Sequence, residues 1–370
     1  MQRTSEQEGS TAFSPSKTVQ YWVLYCIYYA TNGYVDDDDL DTDISRQDAT
    51  GTWKNTLGWE SNNRDPCTDG WHGISCDEVQ QVQEIRLQRN GLTNVFPFNE
   101  VAFLSAGGAY HLEGVGSLRR LNIFENQELT SDESLDAWMS SMLGLEVLNY
   151  RYTSIGKSGP IPRLPSTIQE FDCSYSGHVG PLQEETFGGL NVLVLASLDG
   201  NQFQSPIPTA LASLPNLQFL YVRDSSLNGN LAYMERMTSI VEHAVDNNPS
   251  LSGPVFSSIG SLFSLRSFSA SDCSLTGTLP TELGSNLVQM WLHGNDLQGP
   301  IPIEYSTMND LRILSLEDNN NLSGTMPIEI CLNRFDGELD FMSVDCDSPV
   351  DCSAFFPDCC TCCGRSGCGS

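Results

Sequence analysis

A chain of 370 residues with 47 acidic against 18 basic side chains carries a formal charge of −29. That balance argues against nucleic acid and against anionic membrane surfaces as partners, and it leaves basic peptides, cations and polar glycans easier to accommodate. The length exceeds what one hydrophobic core ordinarily fills, unless the architecture grows along a single axis.

Residues 1–13 are polar and read as disordered. Ser14-Pro15 then offers an N-cap and a first-turn proline. Val19, Trp22, Val23, Cys26, Ile27 and Ala30 follow at helical spacing, and Asn32-Gly33 closes the helix. Its other face is tyrosine-rich (Tyr21, Tyr25, Tyr28, Tyr29). A capping helix is expected; a membrane-surface helix would normally carry a basic face, which this one lacks. The apolar run Tyr21–Ala30 is far short of the ~20 residues that span a bilayer, and no export leader is visible. Membrane association is expected only through an anchor outside this sequence.

The acidic run Asp36–Asp43 has the alternate spacing of a calcium loop through Asp37, Asp39, Asp41 and Asp43, with Asp48 at the twelfth place. Thr42 stands where that loop needs Gly, and no helix pattern follows, so a solvated charged loop is the plainer reading. Beyond it, Trp53 and Trp59 precede the stretch DPCTDGWHGISC.

From Val82 onward the chain repeats. Three successive segments read IGSLFSLRSFSASDCSLTGTLP, LGSNLVQMWLHGNDLQGPIP and YSTMNDLRILSLEDNNNLSGTMP. Asn201, Ser225, Asn248, Cys273, Asn295 and Asn319 fall at one polar position, separated by 24, 23, 25, 22 and 24 residues. A short L-x-L strand alternates inward and outward side chains, as in Leu220 and Val222 inward with Tyr221 and Arg223 outward. One unit cannot bury its own apolar face, so neighbours must stack. At the polar position an amide can satisfy backbone groups where the chain turns away from its strand. About ten units are expected over 82–330. The early ones, at Leu118, Leu145 and Ile168, are degenerate, and Thr93–Gly116 reads as an irregular insertion.

The pattern L-x-x-L-x-L-x-x-N-x-L-x-G-x-I-P resembles the plant-type extracellular leucine-rich repeat family, and the ends look most like the repeat proteins common in diatoms. The resemblance implies an α/β solenoid, a right-handed superhelix with a parallel β-sheet on its concave face. It also implies an N-terminal cap over 14–81 and a Cys-rich cap and tail over 331–370. Asp65, Pro66, Cys67, Trp71, Gly73, Ile74 and Cys76 match the family's N-terminal cap, which implies a Cys67–Cys76 disulfide with Trp71 over the first repeat. A metal site from these cysteines and His72 lacks the usual zinc spacing.

Thirteen cysteines, gathered mostly at the ends, point to an oxidising compartment and hence an extracellular or cell-surface location. Cys331, Cys346, Cys352, Cys359, Cys360, Cys362, Cys363 and Cys368 form either a disulfide cap, whose pairing is unreadable, or a thiolate metal site. Cys173 and Cys273 read as buried thiols. Asn321-Leu322-Ser323 is a glycosylation acceptor pattern.

Catalytic signatures are hard to find. The five histidines make no H-E-x-x-H pair, and neither a nucleophile elbow nor a phosphate loop is present. The outward strand positions are the better candidates: Phe124, Arg151, Tyr152, Tyr175, Tyr221, Arg223, Trp291, His293 and Glu317. Tyr, Trp and Arg dominate binding energy at interfaces, and Tyr152, Tyr175 and Tyr221 read as nearly equivalent in the repeat. The expectation is a non-catalytic, receptor-ectodomain-like monomer, without cofactor or bound metal, that binds a protein, peptide or glycan on its concave face. A structural, adhesion or ice-facing surface protein is the alternative, and a carbohydrate hydrolase built on a concave carboxylate such as Glu317 is a third reading.

Overall fold

The computed structural model describes residues 15–32, 53–59, 64–105, 117–132, 135, 139, 141–336, 339–345, 350–351, 361–364 and 367–368. The expected disorder of 1–13, the acidic run Asp36–Asp43 and Cys346, Cys352, Cys359 and Cys360 lie outside them.

The repeat produces a fourteen-stranded sheet. Only its end pairs are antiparallel: Ile74–Cys76 beside Val82–Arg86, and Thr361–Gly364 beside Gly367–Cys368. The twelve strands from Val82–Arg86 to Thr361–Gly364 run parallel in sequence order, as stacked rungs must. Each strand is short, and its register is fixed by the residue at its centre. Ile85, Leu121, Leu148, Phe171, Leu220, Phe268, Met290, Leu314 and Met342 are all wholly buried. The next inward position, two residues on, is equally closed at Leu87, Ile123, Val222, Leu292 and Leu316. Each buried leucine-sized side chain contributes roughly 2 kcal/mol. A one-residue slip would turn the whole set outward.

The polar ladder is built from side-chain amides. Asn248 donates from Nδ2 to the carbonyls of Val222 and Val245, at 2.8 Å each, and its Oδ1 accepts from Ser225 N at 3.2 Å and Leu227 N at 2.8 Å. One amide thus ties its own rung to the one before. Asn126, Asn201, Asn295 and Asn319 make the same kind of bridge. Ser225 and Cys273, with one short polar atom each, reach only carbonyl acceptors.

Beyond the ladder the chain forms a second, five-stranded parallel sheet through Asn228–Gly229, Ser250–Gly253, Ser274–Thr278, Asp296–Gly299 and Asn321–Leu322. The segment read as an irregular insertion is ordered along its described part. Thr93–Val95 pairs in parallel with Glu128–Thr130, and Phe98–Val101 and Ala102–Leu104 are short helical turns. It is the flank of an unusually long rung.

Helix α1 (Pro15–Asn32) buries Gln20, Val23, Leu24, Ile27 and Thr31, whereas Trp22 is half exposed. The expected stripe through Trp22 is therefore rotated, because the tyrosine side also packs inward. Tyr21 meets the Trp71 ring at 5.7 Å, and Tyr28 meets Trp53 at 5.3 Å. Trp53, Trp59 and Trp71 form one buried cluster under the helix. Lys17 fastens the helix to Asp65 through a 2.6 Å ion pair. Cys67 and Cys76 are disulfide-bonded, with Cα atoms 5.5 Å apart. Cys331 also belongs to a disulfide, while Cys173 and Cys273 are buried free thiols.

Candidate functional site

Parallel pairing aligns outward side chains into rows that run across the rungs. In one row the residues are Ser197, Tyr221, Ala244, Ser269, Trp291, Ser315 and Ser343. Tyr221 and Trp291 stand up from small neighbours, and the floor between them is Ala244 and Ser269. Adjacent strands lie about 4.8 Å apart, so the two rings, three strands apart, bound a slot of side-chain width.

The slot has acidic edges. Tyr221 donates its hydroxyl to Glu242 Oε2 at 2.8 Å, and burial with that carboxylate pushes the phenol's pKa up. Asp246 accepts from Ser269 Oγ, and from Ser271 N at 2.8 Å, so its carboxylate is held in place. Arg223, beside the Tyr221 ring, is engaged: its Nη2 lies 2.7 Å from Asp199 Oδ2, and its guanidinium sits 5.4 Å from the Tyr221 ring centre. Trp291 is braced by Phe341, stacked at 6.2 Å.

The row after the inward pair carries Phe124, Arg151, Arg223, His293 and Glu317. Arg151 lies 4.8 Å over the Phe124 ring and 3.5 Å from Glu125. Toward the C-terminal end, His293 Nδ1 is 3.0 Å from Ser315 Oγ, and His293 Nε2 is 3.7 Å from Asp272 Oδ2. These are the residue types of a nucleophile relay. Ser315 is nonetheless wholly buried, and its hydroxyl donates to Glu317 Oε2 at 2.8 Å, so it offers no accessible nucleophile. Among the described residues no group of three or more His, Cys, Asp and Glu side chains is placed to hold a metal.

Tyr152 and Tyr175 are not equivalent to Tyr221. They occupy the position just before the polar ladder, with φ of 51° and 54°, at the edge of the concave face. Their rings stack at 4.8 Å and 4°. Tyr175 donates to Asp224 Oδ2 at 3.0 Å; burial, then this bond, raises its pKa to about 12. The L-x-L register places Tyr221 correctly, but nothing in composition marks the left-handed position three residues later. Glu242, Asp246 and the Ala244–Ser269 floor were legible in the same register; no aromatic or basic side chain draws attention to them.

Residues 264–285 match the family model described as Leucine Rich Repeat. Receptor-like protein kinase BRI1-like 3 of Arabidopsis thaliana is 27% identical over 187 residues, which is 49% of this chain and 14% of that protein. The chain thus spans a small part of that relative's length. Among solved structures, the plant peptide hormone receptor RGFR1 in complex with RGF2 superposes with a TM-score of 0.63 at 24% identity, over 76% of this chain and 41% of that one. A plant ice-binding protein superposes with a TM-score of 0.53 at 19% identity, over 81% of this chain and 93% of that one. With its stacked parallel rungs, its asparagine ladder and the repeat matched at residues 264–285, the chain has the leucine-rich repeat fold and is similar to plant receptors of that fold.

Proposed function

We propose that this is a non-catalytic, extracellular recognition module whose concave face binds a peptide or protein segment bearing a basic side chain. The observation that carries the reading is the slot between Tyr221 and Trp291, floored by Ala244 and Ser269 and edged by Glu242 and Asp246. Rigid aromatic posts supply contact area, and fixed carboxylates supply the charge preference. Arg223, His293, Glu317, Phe124 and Arg151 extend the surface along the next row. A peptide hormone receptor with the same fold, and the receptor kinase relative, support the assignment. Asn321 is proposed as a glycosylation site; it is exposed on the edge strand of the second sheet, away from this face.

The test is selection from a displayed random-peptide library on the immobilised chain. Enrichment of basic peptides, with affinity reduced about tenfold by Tyr221→Ala, is expected. Enrichment of acidic peptides, or affinity indifferent to Tyr221→Ala, rejects the slot.

A second reading, a lattice-facing surface, is favoured by the five-stranded second sheet. Ser252 and Ser274 are register partners there, and Ser250 and Thr276 are likewise exposed on neighbouring positions of the same face. It stays second because Asp296, Gln298 and Asn321 interrupt these rows. Absence of ice shaping by the purified chain removes it.

A further inference from the structure

In every rung from Arg89 to Asp318 the residue before the polar ladder adopts a left-handed backbone. Later rungs place there Gly200, Asp224, Asn247, Asp272, Gly294 and Asp318, the residue types that tolerate positive φ. The first four rungs instead place Arg89, Glu125, Tyr152 and Tyr175, with φ between 51° and 56°. Bulky side chains in this region are strained and persist where something else holds them.

Three of these four residues line one cleft. It has a volume of about 1070 Å³ and is bounded by Lys54, Arg89, Thr93, Glu125, Gln127, Glu128 and Tyr152, with Gly91, Leu92 and Asn126 at its base. That is the size of a small-ligand site rather than of an extended face. The Arg89 guanidinium meets Glu125 through Nη2···Oε1 at 2.8 Å and a second, parallel bond from Nε. The pair is planar and leaves further donors and acceptors. Tyr175 covers one face of the Tyr152 ring, which leaves the other for the cleft. Tyr175 is seated in turn on Gly200, where a Cβ would lie 2.1 Å from its ring. The aromatic wall is therefore backed by two rungs.

The charges cancel. Among the lining residues Lys54 and Arg89 oppose Glu125 and Glu128, with Arg151 3.5 Å behind Glu125, so the lining itself carries no net charge in a protein of net charge −29. An anion or a cation gains no net attraction there. A hydroxyl-rich ring gains both a stacking face and a mixed set of donors and acceptors. We infer that this cleft is a subsite for a neutral oligosaccharide, separate from the Tyr221–Trp291 slot, with Tyr152 stacking on a sugar ring and the Arg89–Glu125 pair, Gln127 and Glu128 reading its hydroxyls.

The test titrates the full chain with laminarihexaose, cellohexaose and maltohexaose, and with an oligogalacturonate as the anionic counterpart, by calorimetry. Saturable binding of at least one neutral sugar is expected. Tyr152→Ala should weaken it about tenfold, as loss of an aromatic anchor does, and Gln127→Ala by a few fold. Trp291→Ala should leave it unchanged, which separates this site from the concave reading. Gln127 is exposed, so its variant decides the matter if Tyr152→Ala does not fold. No binding of any neutral sugar, binding indifferent to both cleft variants, or binding of the galacturonate alone overturns the inference.

Discussion

The rungs before and after residue 190 share one sheet but are stabilised differently. In the later half the polar ladder recurs every 22 to 25 residues, and the flanks pair into a second sheet. In the earlier half Asn90 and Asn126 are 36 residues apart, and among the described residues the flanks pair as strands at Thr93–Val95 and otherwise through an isolated bridge between Val179 and Gln202. There the spaces are filled by large side chains: the Trp53–Trp59–Trp71 cluster, the Arg89–Glu125 pair and the Tyr152–Tyr175 stack. Regularity thus serves to build the slot, whose posts need small residues on the intervening rungs. Irregularity builds the cleft, which needs bulk at strained positions.

If amides hold the later half together, removing one is the largest single loss. Asn248→Ala should cost about 3 kcal/mol or more, because it leaves two carbonyls and two N–H groups of neighbouring rungs without this partner. Ser225→Ala, at the same ladder position, should cost only about 1 kcal/mol, since its hydroxyl reaches only carbonyls. Urea unfolding of the two variants checks the difference, and equal losses would deny the ladder its role.

Acid should act on both halves through buried histidines. His178 accepts the Tyr150 hydroxyl across 2.9 Å, and His243 the Tyr233 hydroxyl across 2.8 Å. Burial lowers both pKa values from 6.5 to about 4. Unfolded imidazoles take up protons below pH 6.5 and the folded ones do not. Their contribution is therefore complete above that pH and fades as pH falls to about 4, by roughly 3 kcal/mol for each histidine. His243 fills the inward position held by Leu220 and Phe268 in the adjacent rungs, so His243→Leu should remove about half of the histidine part of the slope of stability against pH. An unchanged slope would show that the imidazole is not neutral when folded.

The boundary between the halves can be probed at Gly200. Its φ of 65° and the Tyr175 ring above it both oppose a side chain, so Gly200→Ala should cost about 2 kcal/mol. In a Tyr175→Ala background about 1 kcal/mol should remain, the backbone part alone. A full cost in both backgrounds would mean that the ring does not rest there. Smallest is Asp224→Asn, which keeps a residue type that tolerates the φ of 52° and only weakens one exposed hydrogen bond from Tyr175; it should change the melting temperature within about 2 °C.

The sequence made the inward rows and the asparagine ladder legible, because buried leucines at a fixed spacing and an amide after them admit few other arrangements. It also showed Tyr221 and Trp291 as outward. It placed helix α1 but put Trp22 on its buried face, because the tyrosines are amphipathic enough to serve either side. It equated Tyr152 and Tyr175 with Tyr221 because a left-handed backbone at a tyrosine leaves no mark in residue type. The cleft was invisible for another reason: Lys54 comes from the N-terminal segment and the other lining residues from three successive rungs, so only stacking brings them together.

The most direct measurement compares the affinity of a selected basic peptide for two variants that each lose one large ring. Trp291 stands on the concave face, whereas Phe263 is 75% exposed on the loop before the strand Ser267–Ser269. About a tenfold loss is expected for Trp291→Ala and none for Phe263→Ala. Loss at Phe263 with Trp291 silent would place recognition on the wrong side of the solenoid and contradict the concave-face reading.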